Sequence, residues 1–146
     1  MKSLFEVTAY NEIKTRMAKL NNDSMPAWGK MNAGQMVTHC QFPFKIALSE
    51  KPRKHKWNPF MQLFKKSLYN DKPWRKGLPT VKLAKITDQK DFEKERDTLL
   101  SMIDAFYAKR EQTEWQPHPM FGNFTTEQWG QLEYKHLDHH LTQFGV

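Results

Sequence analysis

Thr125-Thr126-Glu127-Gln128-Trp129-Gly130-Gln131-Leu132-Glu133-Tyr134-Lys135-His136-Leu137-Asp138-His139-His140-Leu141-Thr142-Gln143 reads as one long amphipathic helix. Thr125 is suited to open it, with Gln128 three residues on at capping-box distance, and Gly145 follows its end. The inward stripe is Trp129, Leu132, His136, then His139 or His140, and Gln143, so the histidines continue an apolar line instead of decorating a wet face. His136 and His140 stand four residues apart, which puts them about 40° apart around the axis and roughly 6 Å apart along it. Two imidazoles so placed can grip one metal ion.

Working outward, three more long helices emerge. Tyr10, Ile13, Met17 and Leu20 recur at helical steps, with Thr8 as the expected N-cap and the turn formers Asn21-Asn22-Asp23-Ser24 and Pro26 as the stop. A second helix is expected from Asn32, with Gln35 as its capping-box partner and Ala33, Met36, Val37, Cys40, Phe44, Ala47 and Leu48 as its apolar face. His39 sits at the edge of that face. Pro43 cannot donate to the His39 carbonyl, so the helix either kinks there or ends near Phe42; the apolar pattern through Leu48 favours the kink. The third long helix carries Phe92, Leu99, Leu100, Ile103, Phe106 and Tyr107 on one face, starts at Asp88 or Asp91, and ends with Lys109 and Arg110.

The stretch between the second and third long helices is less regular. Asn58-Pro59 reads as a cap followed by proline at the first helical position, opening a short amphipathic helix through Phe60, Met61, Phe64 and Leu68. Pro73, Gly77 and Pro79 then break the chain, and residues 82–86 read as extended or irregular. Residues 111–124 read as a loop punctuated by Pro117, Pro119 and Gly122. With no alternating strand pattern anywhere, the expected fold is all-α: an antiparallel four-helix bundle forming a single domain over 1–146, with a basic insertion between helices 2 and 3.

At 146 residues such a domain buries a real core without disulfides or a structural metal, so a metal here would be functional. The single cysteine, Cys40, excludes an internal disulfide and fits a cytoplasmic protein. No run approaches the roughly 18 apolar residues of a membrane span. The net charge of +7 is concentrated in residues 51–76, where Lys51, Arg53, Lys54, Lys56, Lys65, Lys66, Lys72, Arg75 and Lys76 face only Asp71 for a local +8. Interleaved with Trp57, Phe60, Phe64 and Trp74, this segment is suited to an anionic polymer, membrane surface or substrate; the alternative is a solvated insert. The chain carries no nucleic-acid module signature, which argues against nucleic acid as the partner.

His39, on another core helix, is the obvious third donor, and neutral imidazoles suit zinc, nickel and iron. No glutamate accompanies the histidine pair in a zinc-protease arrangement. The segment Gly34-Gln35-Met36-Val37-Thr38-His39-Cys40, taken with His136-x-x-His139-His140-x-x-Gln143, resembles the DinB-like superfamily, whose YfiT branch comprises presumed metal-dependent hydrolases. It is closer still to an uncharacterised branch, through Trp28-Gly29-Lys30-Met31, His118-Pro119-Met120-Phe121-Gly122 and His139-His140-Leu141-Thr142-Gln143-Phe144-Gly145. The resemblance covers most of the chain and is weak over residues 51–85. It implies His39, His136 and His140 as metal ligands, and either hydrolase or thiol-transferase chemistry.

Further candidates surround that triplet. His139 is a candidate general base or outer partner of the ligands, with helix packing as the alternative. His118 either closes a loop over the metal or stabilises a proline-flanked turn. Gln35, one turn before His39, orients it, touches substrate or simply caps the helix. Cys40 is rotated about 100° from His39 and reads as core, and Asp138 as a surface group. The expected partner is a small molecule, anionic or a thiol, and a homodimer is an admissible assembly. The rival reading is a non-catalytic binding protein that uses segment 51–76 for an anionic partner.

Overall fold

Local capping chemistry sets where most of the helices begin. The structure, a computed structural model, describes residues 1–51, 54 and 58–146. Its five α-helices are α1 (Val7–Met17), α2 (Ala33–Ala47), α3 (Pro59–Lys65), α4 (Phe92–Ala108) and α5 (Thr126–Gln143). Two 3-10 turns, Lys66–Leu68 and Lys82–Ala84, lie in the connection from α3 to α4, and no strand occurs among the described residues. Asn32 and Thr125 each form a complete capping box with Gln35 and Gln128. Asn58 accepts from the N–H groups of Phe60 and Met61 with Pro59 at the first helical position, and Asp91 accepts from Lys94 N. Each of these caps satisfies donors that have no partner inside the helix.

Three expectations need correction. Thr8 does not cap α1; it lies inside the first turn, and Glu6 occupies the cap position without a side-chain capping bond. The reason is an earlier turn, in which Ser3 N donates to the Glu6 carboxylate and Glu6 N donates to Ser3 O, while Leu4 N is fastened to Gly130 O at 2.9 Å. Residues 82–84 are a 3-10 turn and not extended. The basic connection is also not wholly a solvated insert, because Leu68, Tyr69 and Trp74 pack on the core. The parts of that expectation resting on Arg53, Lys56 and Trp57 lie outside the described residues. Helix α2 continues through Pro43 to Ala47.

One apolar cluster joins the long helices: Ile13 and Met17 from α1, Met36, Val37, Cys40 and Phe44 from α2, Leu99, Ile103 and Phe106 from α4, and Trp129, Leu137 and Leu141 from α5. Helix α2 packs most extensively on α4, and both α1 and α2 lie against α5. The close approaches are made by residues without side chains. A Cβ at Gly34 would stand 2.7 Å from the Lys90 carbonyl oxygen, and one at Gly130 would collide with the side chains of Ser3 and Phe5. Arg16 then clamps α1 to the C-terminal half of α5, reaching Asp138 at 2.6 Å, Thr142 Oγ1 at 3.0 Å and Val146 O at 3.0 Å. The half of α5 that carries the histidines is thereby held against two other helices.

Candidate metal centre

His39 projects from α2, and His136 and His140 project from consecutive turns of α5 into the same buried space. Each is only 7% exposed. Their ring centroids form a nearly equilateral triangle of 5.0, 4.8 and 4.9 Å. The Nε2 atoms of His39 and His136 are 3.1 Å apart, and a ligand atom from each of the three residues falls within 4.8 Å of the others. Tetrahedral coordination at about 2.0–2.1 Å separates neighbouring nitrogens by roughly 3.3 Å, so small side-chain adjustments would seat a cation. The donor set and its spacing fit a metal ion.

Hydrogen bonds point two of the rings inward. His39 Nδ1 lies 2.8 Å from the carbonyl oxygen of Ala84, at the end of the second 3-10 turn, and so donates there while Nε2 keeps its lone pair. His140 Nδ1 lies 2.8 Å from Gln143 Oε1, with the same consequence. Outer partners of this kind fix the tautomer and orientation of metal-binding imidazoles. Burial is also the main force holding the rings neutral, the form that binds metal. It lowers His39, pushes His136 well below the ordinary histidine range with further repulsion from His140 and His39, and takes His140 down to about 3 with His39 adding to the effect.

Aromatic rings lie beside the triangle. His139 is half-buried, 5.8 Å from Trp28 and 5.8 Å from Trp74 between ring centroids, and Trp74 also lies 5.8 Å from His136. Lys135, the residue before His136, pulls the Trp74 segment down: its Nζ donates to Ser67 O at 2.7 Å and to Asn70 O and Oδ1 at 2.8 Å. The Trp74 indole N–H donates to the same Ser67 carbonyl. On the other flank, Gln143 Nε2 donates to Trp28 O at 2.6 Å, and Ala27 N donates to Gln143 O at 2.7 Å. Gly29 adopts φ +86°, where a Cβ would stand 2.6 Å from Gln143 Nε2. Lys76 sets its ammonium 4.5 Å above the Trp28 ring.

The remaining candidates fall elsewhere. His118 is buried against Phe124 and Trp129 and accepts from the N–H groups of Met120 and Phe121, closing a turn bridged to Gly122. Trp129 precedes His136 by seven residues, roughly 10 Å along α5, so His118 sits toward the opposite end of that helix. Gln35 is occupied by the α2 capping box and by a bond from Nε2 to Asp88 O. Cys40 is buried in the core with its thiol pushed up by burial. Asp138 pairs with Arg16. The roles of Ala84, Trp28, Trp74 and Gln143 around the histidines were not read from the sequence; signals existed in the place of Gln143 on the inward stripe of α5, in Trp28 within the segment Trp28-Gly29-Lys30-Met31 that carries the resemblance, and in Trp74 among the aromatics of the basic segment.

The chain matches the family model described as Protein of unknown function (DUF1569) over residues 2–145, and it belongs to that family. No curated protein and no solved structure matches it. Among the described residues, no helix is long and apolar enough to cross a membrane.

Proposed function

We propose that this chain is a cytoplasmic metal-dependent enzyme on a DinB-like antiparallel four-helix bundle, acting as a hydrolase or thiol transferase on a small, anionic substrate. His39, His136 and His140 would hold zinc, nickel or iron through Nε2. The observation that carries this reading is the convergence of three buried imidazoles, two with Nδ1 already committed to Ala84 O and Gln143 Oε1. A divalent cation held by these three nitrogens would supply Lewis acidity, and so would acidify a water or a substrate thiol.

The surrounding residues divide the remaining work. His139, whose pKa burial lowers, would serve as the neutral base that takes up a proton from a water or thiol acidified there. Trp28 and Trp74 limit water and offer flat apolar faces to the substrate, and Lys76 offers a cation to its anionic group. We assign His118 and Gln35 to loop closure and helix capping. Elemental analysis of the purified protein beside a triple variant, His39→Ala, His136→Ala and His140→Ala, tests the reading. Near-stoichiometric metal in the first and background in the second is expected; equal content in both would reject it.

A second reading rests on α3, which buries none of its residues and exposes Phe60, Leu63 and Phe64 by 64%, 77% and 49% beside Lys65 and Lys66. An apolar face next to lysines fits a non-catalytic protein that docks on an anionic surface. Binding to anionic vesicles should then fall steeply with added salt. Salt-indifferent binding would reject it.

A further inference from the structure

Among the described residues, four buried side-chain atoms have no hydrogen-bond partner: Trp129 Nε1, Glu133 Oε1, Glu133 Oε2 and His136 Nδ1. All four lie on α5. The spacings of four and then three residues place positions 129, 133 and 136 in line on a single face. Buried polar atoms are normally paired, so a run of orphans along one stripe calls for a common explanation.

His136 is the histidine of the triplet that lacks an outer partner. To bind a cation through Nε2 it must carry its proton on Nδ1, and that atom is sealed from solvent. If instead Nε2 donated to His39 across their 3.1 Å separation, Nδ1 would be left as a buried acceptor with nothing to accept. Either state needs a further group. Side chains on a helix lean toward its N-terminus, so the His136 ring overhangs the turn that bears Glu133, whose Cβ is about 5–6 Å away at this spacing. Glu133 is 0% exposed and brings two unused acceptor oxygens to that turn.

We infer that Glu133 is the acceptor that orients His136. One carboxyl oxygen receives His136 Nδ1–H and the other receives Trp129 Nε1–H, directly or through a single buried water, so the orphans satisfy one another. Every imidazole of the triplet then has its own outer acceptor: Ala84 O, Gln143 Oε1 and Glu133. Glu133 is a positioning residue that touches neither cation nor substrate. The inference rests on the three-histidine metal reading and extends it to a residue outside the ligand set.

The test uses Glu133→Leu and Glu133→Gln in the full chain, each read by zinc affinity in chelator competition and by the urea midpoint of the metal-free protein. Zinc binding should weaken about 10–100-fold in the leucine variant and less in the glutamine variant, which keeps one acceptor. The metal-free leucine variant should be less stable than the parent, because the buried N–H groups of His136 and Trp129 lose their acceptor. A residue that only packs would leave the zinc affinity of the folded variants unchanged, and the near-isosteric glutamine variant would match the parent in both readouts. If the parent binds zinc and both variants bind it equally well, the inference is overturned while the metal site stands; a parent that does not bind zinc overturns the metal reading and the inference together. Should the leucine variant not fold, the glutamine variant decides through the visible spectrum of bound cobalt(II). A shifted spectrum with weaker affinity supports Glu133, and an unchanged spectrum and affinity overturn it.

Discussion

Gln143 and His140 act as one unit: the amide Oε1 accepts from His140 Nδ1 at 2.8 Å, while the same amide donates to the Trp28 carbonyl at 2.6 Å. One side chain thus orients a candidate ligand and fastens an indole beside it. Gln143→Leu should weaken zinc binding on the order of tenfold or more, since loss of an outer partner commonly costs that much. Chelator competition measures it. Unchanged affinity would mean that packing alone orients His140.

Gly29→Ala should destabilise the fold by about 1–3 kcal/mol, combining a left-handed backbone with a contact on Gln143. Gly77 provides the control, because it has φ +74° and a Cβ there would meet nothing within 4 Å. Gly77→Ala should therefore show only the backbone part and leave zinc affinity alone, whereas Gly29→Ala should lower both stability and affinity. Urea midpoints and zinc titrations of the two variants make the comparison. Equal effects at both glycines would show that the Gln143 contact is unimportant.

Trp74→Ala should expose His136 and His139 without removing a ligand. Zinc should pass to an excess of chelator several-fold faster while its equilibrium affinity changes little, because covering groups act mainly on exchange rates. Stopped-flow transfer to a chromogenic chelator reads the rate. An unaltered rate would show that Trp74 does not cover the site.

The metal-free protein should lose stability on acidification through its histidines. Burial takes His140 down to about 3, whereas the unfolded chain protonates it near 6.5. Between those values the unfolded state binds more protons, so stability falls as pH falls, with a limiting slope of about 1.4 kcal/mol per pH unit for one such group. Glu133 has the opposite sign: burial holds its carboxyl well above 4.5, so its contribution is lost as pH rises. The difference between parent and His140→Gln isolates the histidine. Urea midpoints from pH 7.5 to 4.5 should show the parent losing ground to the variant below pH 6.5, and parallel curves would contradict the assignment.

The parts of this structure legible in the sequence are those encoded within a few residues. Asn32 with Gln35, Thr125 with Gln128, and Asn58 with Pro59 announce helix starts because cap and partner are neighbours in the chain. The His136–His140 pair is legible for the same reason, and His39 joined it through an expected core helix and the family resemblance. Thr8 misleads because the start of α1 is decided by a turn at Ser3–Glu6 that is tied to Gly130, far along the chain. The Ala84 carbonyl has no side-chain signature, and Trp74 reaches the site only when Lys135 draws residues 67–70 onto α5. Such contacts are tertiary, and periodicity does not carry them.

An anomalous-difference map from crystals grown with zinc tests the central claim most directly. A single peak about 2.0–2.1 Å from Nε2 of His39, His136 and His140, with at least one position left to solvent, is the predicted result. A map with no peak among those three nitrogens, or with zinc bound only at other side chains, would contradict the account.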